Sequence, residues 1–293
     1  MKTILVPTDF SPAAYTAARY AIHLAKKFNA AIELCTAIKV PAESVMAAQV
    51  AWPLEDYDSL KKDAETEFEY LVEKLSQEEQ AIDNPGSFHP TFTYNNDRGE
   101  VTDYVMNLVD EHKANIVVMG MSGAGSFSRF YLGSNSKEMI EKANFPLLLI
   151  PANVSFKEIK KISFATDLSS QDIEIIASLV YFARPFNAEI LITHVIQEND
   201  INSDEQKKID DFLSSVTCKV NYPRIYYRSI QSSGINEGLN WLTENGRIDI
   251  MAMVHRQESF FTRLLKSSHT QQLAKSIHVP LLVFPENFNR VVI

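Results

Sequence analysis

An internal repeat constrains this 293-residue chain more than any other feature. Residues 116–151 read Ile-Val-Val-Met-Gly120-Met-Ser-Gly123, nine further residues, Gly133-Ser134, a helical stretch, then Pro146-Leu-Leu-Leu-Ile-Pro151. Residues 250–285 read Ile-Met-Ala-Met-Val254-His-Arg-Gln257, nine residues, Ser267-Ser268, a helical stretch, then Pro280-Leu-Leu-Val-Phe-Pro285. Asp9 and Asp167 lie 158 positions apart, and Phe28-Asn29-Ala30 recurs as Phe186-Asn187-Ala188 at the same shift. Pro146 and Pro280 lie 134 apart, so the second copy is 24 residues shorter. The loss falls between its second and third strands. Val101/Ile235, Val105/Leu239 and Leu108/Leu242 keep one helix face at the 134 shift. A duplicated α/β unit accounts for all of these matches.

The first copy alternates strand and helix. Thr3–Val6 is a short apolar run ended by Pro7. Pro12 suits the first turn of a helix and Ser11 its cap. Ala14, Ala17, Ala18, Ala21 and Ala25 give that helix a small-residue face able to lie close on a sheet. Ala31–Ile38 is a second strand. A long acidic helix follows, with Leu60, Ala64, Phe68, Leu71 and Leu75 as its apolar stripe. Phe88–Tyr94 is expected as the third strand. Ile116–Met119 lacks alternation, as suits a strand buried on both faces. A helix from about Ser134 to Lys142 precedes the last strand, Leu147–Ile150. Alternating strands and helices imply right-handed crossovers and a mainly parallel sheet. The link between the copies, about 152–160, is short enough that they should pack together.

The chain is 45% hydrophobic and 22% charged, the composition of a globular protein with room for two cores. A net charge of −9 argues against a nucleic-acid or anionic-membrane surface, which wants excess Lys and Arg. Cys35 and Cys218 are too sparse for a disulfide framework or a zinc cluster. The N-terminal apolar run is too short for a signal peptide, and no segment reaches the ~20 apolar residues of a membrane helix. The expected location is the cytoplasm.

In an open parallel sheet ligands sit beyond the carboxyl ends of the strands. The residues there are Pro7, Thr8 and Asp9 after strand one, Ala37 closing strand two, and Met119-Gly120 through Gly125 around the end of strand four. Glycines let backbone amides approach a phosphate closely. Gly133-Ser134-Asn135-Ser136 opens a helix whose free amides favour an anion. Loop and helix could hold a polyphosphate between them, with Asp9 facing a nucleoside. A Walker loop needs Lys after its last glycine, and Gly125 is followed by Ser126. The dinucleotide fingerprint belongs after strand one, and a Gly-x-Ser-x-Gly elbow fails at Ala124. Blander readings stand beside these. The glycines could be turn residues, Asp9 could cap the first helix with Ser11, and His194 could be a satisfied core histidine. Cys35 could be a small buried hydrophobe, with Met119 and Met121 packing against the sheet. No residues show catalytic or metal-ligand spacing.

The combined pattern resembles the universal stress protein family in tandem form. The family signature Gly-x2-Gly-x9-Gly-Ser/Thr is matched by Gly120, Gly123, Gly133 and Ser134, its opening by Val6-Pro7-Thr8-Asp9-Phe10-Ser11, and its close by Pro146-Leu-Leu-Leu-Ile-Pro151. The resemblance implies two tandem five-stranded parallel sheets, each of order 3-2-1-4-5 with helices on both faces, the adenine nucleotide alpha hydrolase-like fold. The expected domains are 1–152, with an intact signature, and 158–286, with a degenerate one. It further implies that Asp9 and Ala37 touch adenosine, and that Gly120, Gly123, Gly133, Ser134, Asn135 and Ser136 hold phosphates and ribose. The second copy keeps Ala165-Thr166-Asp167-Leu168-Ser169 and His194-Val195 but places Val254, Gln257 and Ser267 where glycines would be. It should not bind ATP in the family manner, although Arg256, Arg263 and Lys266 leave room for another anion. Family members commonly dimerise through the last strand, so the tandem chain should build its own pseudo-dimer, and two chains could associate further.

The expected function is binding of ATP or a related adenine nucleotide, with magnesium a candidate companion ion, by a stress-response sensor or regulator without rapid turnover. The alternatives are a slow ATPase or nucleotidyl transferase, for which Ser122, Ser126 and Arg129 could assist phosphate chemistry, and a ligand-free interaction module.

Overall fold

The computed structural model describes residues 2–39, 57–82, 86–121, 133–197, 203–256, 278–286, 288, 290 and 292. In the first half the order is β1 (Lys2–Pro7), α1 (Pro12–Phe28), β2 (Ala30–Ile38), α2 (Tyr57–Ala81), β3 (Phe92–Arg98), α3 (Val101–His112), β4 (Ile116–Met121), α4 (Ser134–Lys142) and β5 (Leu147–Pro151). The second half runs β6 (Lys161–Ala165), α5 (Asp172–Ala183), a 3-10 turn at Arg184–Phe186, β7 (Glu189–Gln197), α6 (Ser203–Lys219), β8 (Ile225–Ser232), α7 (Ile235–Asn245), β9 (Ile250–His255) and β10 (Leu281–Pro285).

The strands lie in the order β3-β2-β1-β4-β5-β10-β9-β6-β7-β8. Each half therefore has the expected order 3-2-1-4-5, read inward from its outer edge. All pairings are parallel except the central one, where β5 and β10 run antiparallel with Leu149 opposite Leu281 and Leu147 opposite Val283. The two five-stranded units thus form one continuous sheet. α1, α2, α5 and α6 cover one face, and α3, α4 and α7 the other.

The repeated Phe-Asn-Ala triplet has a structural explanation. Asn29 and Asn187 take left-handed backbone conformations, at φ 53 and φ 51. Asn tolerates that region better than most residues, and it turns the chain back toward the sheet. Phe28 and Phe186 before it are buried, and Ala30 and Ala188 after it are fully buried at the start of a strand. Phe28 meets Phe182 and Phe186 at ring distances of 5.2 and 5.5 Å, so the repeat also supplies the contact between α1 and α5.

The third strand is Phe92–Arg98, four residues later than expected. It is an edge strand whose register follows from pairing with β2, Ile32 opposite Phe92 through Ile38 opposite Arg98. Its Asn95, Asn96 and Asp97 carry no apolar signal. The shortening of the second copy is shared between α6, which has 17 residues against 25 in α2, and the connections on either side of it. The C-terminal tail packs on its own chain, with Phe288 and Val292 buried in the core.

Candidate functional site

The turn after β1 is built by short side chains folding back on the main chain. The Phe10 amide donates to Thr8 Oγ1 at 2.9 Å, and the Ser11 amide to Asp9 Oδ1 at 3.1 Å. Ser11 Oγ then caps α1 by accepting from the Ala14 amide at 3.3 Å. Capping is Ser11's work, while Asp9 shapes the turn before it and keeps its other carboxylate oxygen outside that turn. Phe10 is left-handed at φ 58, its ring edge-on to Phe68 at 5.1 Å. The second half reproduces this turn. The Leu168 amide donates to Thr166 Oγ1, the Ser169 amide to Asp167 Oδ1, and Leu168 has φ 65.

At the carboxyl ends of β1, β2 and β4 a cleft of about 310 Å³ opens. Pro7, Thr8, Asp9, Ala37, Met119, Gly120, Gly133, Ser134, Asn135 and Ser136 all line it. Gly123, the remaining residue singled out from the sequence, lies outside the described residues, as do Ser122, Ser126 and Arg129. Several lining residues were not anticipated: Ala13 and Ala14 from the first turn of α1, Cys35 and Lys39 from the β2 end, and Tyr104 from α3. The small-residue face of α1 was the available signal for the alanines. Tyr104 sits on the apolar face of its helix and reads as core.

Gly120 has a packing reason. A Cβ there would stand 2.5 Å from the Ala13 carbonyl oxygen, so only glycine lets the first turn of α1 lie on β4. On the opposite side Gly133 caps α4 in an extended conformation with no side-chain hydrogen bond. The first-turn amides of α4 thus lack both intrahelical acceptors and a capping side chain, an arrangement that favours an anion. Burial pushes both the Cys35 thiol and the Tyr104 hydroxyl up. Both groups stay neutral near pH 7 and offer a polar but uncharged wall.

The equivalent cleft of the second half is only about 110 Å³. Asp172 stands where the first half has Ala14, and it is fully buried. Arg256 reaches across to pair with Asp172, and its Nη1 lies 3.2 Å from Asp167 Oδ1. Thr166 Oγ1 donates to the other Asp172 oxygen at 2.5 Å. Burial pushes the Asp172 carboxyl up, against the opposing pull of Thr166 and Arg256. Val254 takes the place of Gly120, and α5 begins at Asp172, two residues later than α1 relative to the repeat. His194 places Nδ1 2.9 Å from the Thr166 carbonyl and Nε2 2.9 Å from Glu205, the satisfied state of a structural histidine. Gln257, Arg263, Lys266 and Ser267 lie outside the described residues. Among the described residues no group of three or more His, Cys, Asp or Glu side chains could hold a metal.

A parallel-dominated sheet of order 3-2-1-4-5, covered on both faces, with a cleft at its strand ends, defines the Rossmann-like adenine nucleotide alpha hydrolase-like class. The chain belongs to the universal stress protein family, whose model matches residues 1–151. It is 27% identical over 149 residues to a universal stress protein of Methanocaldococcus jannaschii, covering 51% of this chain and 81% of the relative. It is 26% identical over 140 residues to universal stress protein A of Escherichia coli, covering 43% of this chain and 94% of the relative. Among solved structures, a universal stress protein from Archaeoglobus fulgidus superposes with a TM-score of 0.71 at 14% identity, over 98% of both chains. That likeness extends the fold across both halves. No helix among the described residues is long and apolar enough to cross a membrane.

Proposed function

We propose that the chain consists of two universal stress protein domains, 1–152 and 158–286, of which the first binds ATP or a related adenine nucleotide. The observation that carries this reading is the contrast between the two clefts. One, of about 310 Å³, is lined by Gly120, the bare start of α4 and Asp9; the other, of about 110 Å³, is narrowed by Val254 and by Arg256, which pairs with Asp172. In the larger cleft Asp9 and Ala37 meet the nucleoside. The amides of Ser134, Asn135 and Ser136, with the Gly120–Gly123 segment, receive the phosphates. These residues fit the group: a polyphosphate wants free amides and no flanking carboxylate cage, and a magnesium ion would ride on the phosphate oxygens.

The second domain serves as a structural partner, and pairing of β5 with β10 makes the chain an intramolecular pseudo-dimer. Burial keeps Cys35 and Tyr104 neutral, so neither serves as a nucleophile or base, in keeping with a sensor or regulator rather than a rapid enzyme. Equilibrium binding of ATP to the chain and to Asp9→Ala tests the assignment. The substitution is expected to weaken binding about tenfold or more, the loss of a hydrogen bond to a charged group. Unchanged affinity would remove Asp9, and with it this orientation of the nucleotide.

A further inference from the structure

A nucleotide would bring several negative charges into the first cleft, yet the described lining carries one cation. Lys39 directly follows β2, and its Nζ lies 2.6 Å from Glu100 Oε2 at the rim. Both side chains are more than half exposed, at 56% and 61%. An exposed pair of this kind adds little to folding stability. Glu100 is also the N-cap of α3, and its side chain accepts no amide of that helix. Its carboxylate faces the lysine instead of capping. Lys39 lines the same cleft as Gly133, Ser134, Asn135 and Ser136 at the start of α4, the helix end that favours an anion.

The second half is an internal control. Gln197 stands 158 positions after Lys39, and Gly234, the cap of α7, stands 134 positions after Glu100. Both members of the pair are missing from the copy with the smaller cleft, and both are present in the copy with the larger one.

We propose that Lys39 is a phosphate-recognition residue, held at the rim by Glu100 and transferred to the phosphate chain when a nucleotide enters. The proposal rests on reading the first cleft as an adenine-nucleotide site. A lysine suits the task because its point charge rides on a flexible four-carbon stem and can exchange one oxyanion for another without a fixed geometry. Asp9 makes the described lining neutral overall only while Lys39 is present. The consequence is selectivity: the cleft tells ATP from adenosine through this side chain, and the preference falls as salt rises.

The test titrates the full chain with ATP and, separately, with adenosine, at low and high salt. Lys39→Met is expected to weaken ATP binding about fivefold, to leave adenosine within about twofold, and to flatten the salt dependence. Lys39→Arg should restore ATP binding, and Glu100→Gln should tighten it by freeing the lysine. Equal losses for ATP and adenosine, or no loss for ATP, would overturn the role of Lys39 while leaving the nucleotide site intact. Binding of neither ligand to the unaltered chain would instead strike down the site itself, and this inference with it.

Discussion

Asp172 is a carboxylate without access to water, and a single guanidinium, that of Arg256, stands against it with its side chain 15% exposed. A buried pair of this kind adds little net stability compared with apolar packing, but breaking it leaves one charge stranded. Arg256→Met is therefore expected to cost about 3 kcal/mol in chemical denaturation. Arg256→Met combined with Asp172→Leu should recover most of that loss. A single variant within about 0.5 kcal/mol of the parent would show that Asp172 is not charged in the folded state. The same residues explain what the sequence could not reveal about the second cleft. Val254 and the missing glycines signalled that a phosphate would be crowded, but the filling of the space depends on Asp172 and Arg256, 84 positions apart. Nothing in either segment announces their meeting.

Among the elements, α1 links the site to the rest of the chain. Its first turn lies on Gly120, and its middle is held by the linker between β5 and β6. Phe156 stacks on His23 with centroids 4.1 Å apart and planes 3° from parallel, and meets Tyr20 edge-on at 5.0 Å. Burial, then the nearby Arg19 and Lys26 cations, hold the His23 imidazole below its usual pKa. The folded state thus prefers neutral His23, and the unfolded chain takes up the proton first as pH falls. This contribution is present above about pH 6.5 and is lost on acidification toward the depressed folded value. His23→Phe keeps the stack and removes the titration. Thermal melts between about pH 7.5 and 5 should show a smaller acid loss in the variant than in the parent; parallel curves would contradict the assignment.

Elements with a strong apolar period were legible from sequence. The stripe of α2 buries Ala64, Phe68, Leu71 and Leu75 as its spacing required. The start of β3 was not legible, because an edge strand with three polar residues in a row takes its register from its neighbour.

At the scale of the whole molecule, the seam between β5 and β10 does what a second subunit could do. β5 is buried along its entire length, and Leu147–Leu149 face β10 residue for residue. Aromatic contacts of Phe28 with Phe182 and Phe186 close the helical layer across the same junction. A fragment of residues 1–152 would bare this edge. An unpaired apolar strand is a template for another chain, so light scattering should find the fragment as a homodimer. A monodisperse, folded monomer would show that the seam is not needed to cover β5. The duplication was plain in the sequence, but the joining of two units into one ten-stranded sheet was not, because it is made by the antiparallel approach of two short, similar strands. With the nucleotide bound in the first domain as proposed, each chain carries one such site beside one smaller cleft. Calorimetric titration of the intact chain with ATP measures this directly. The account predicts one site per chain, and two equivalent sites, or none, would contradict it.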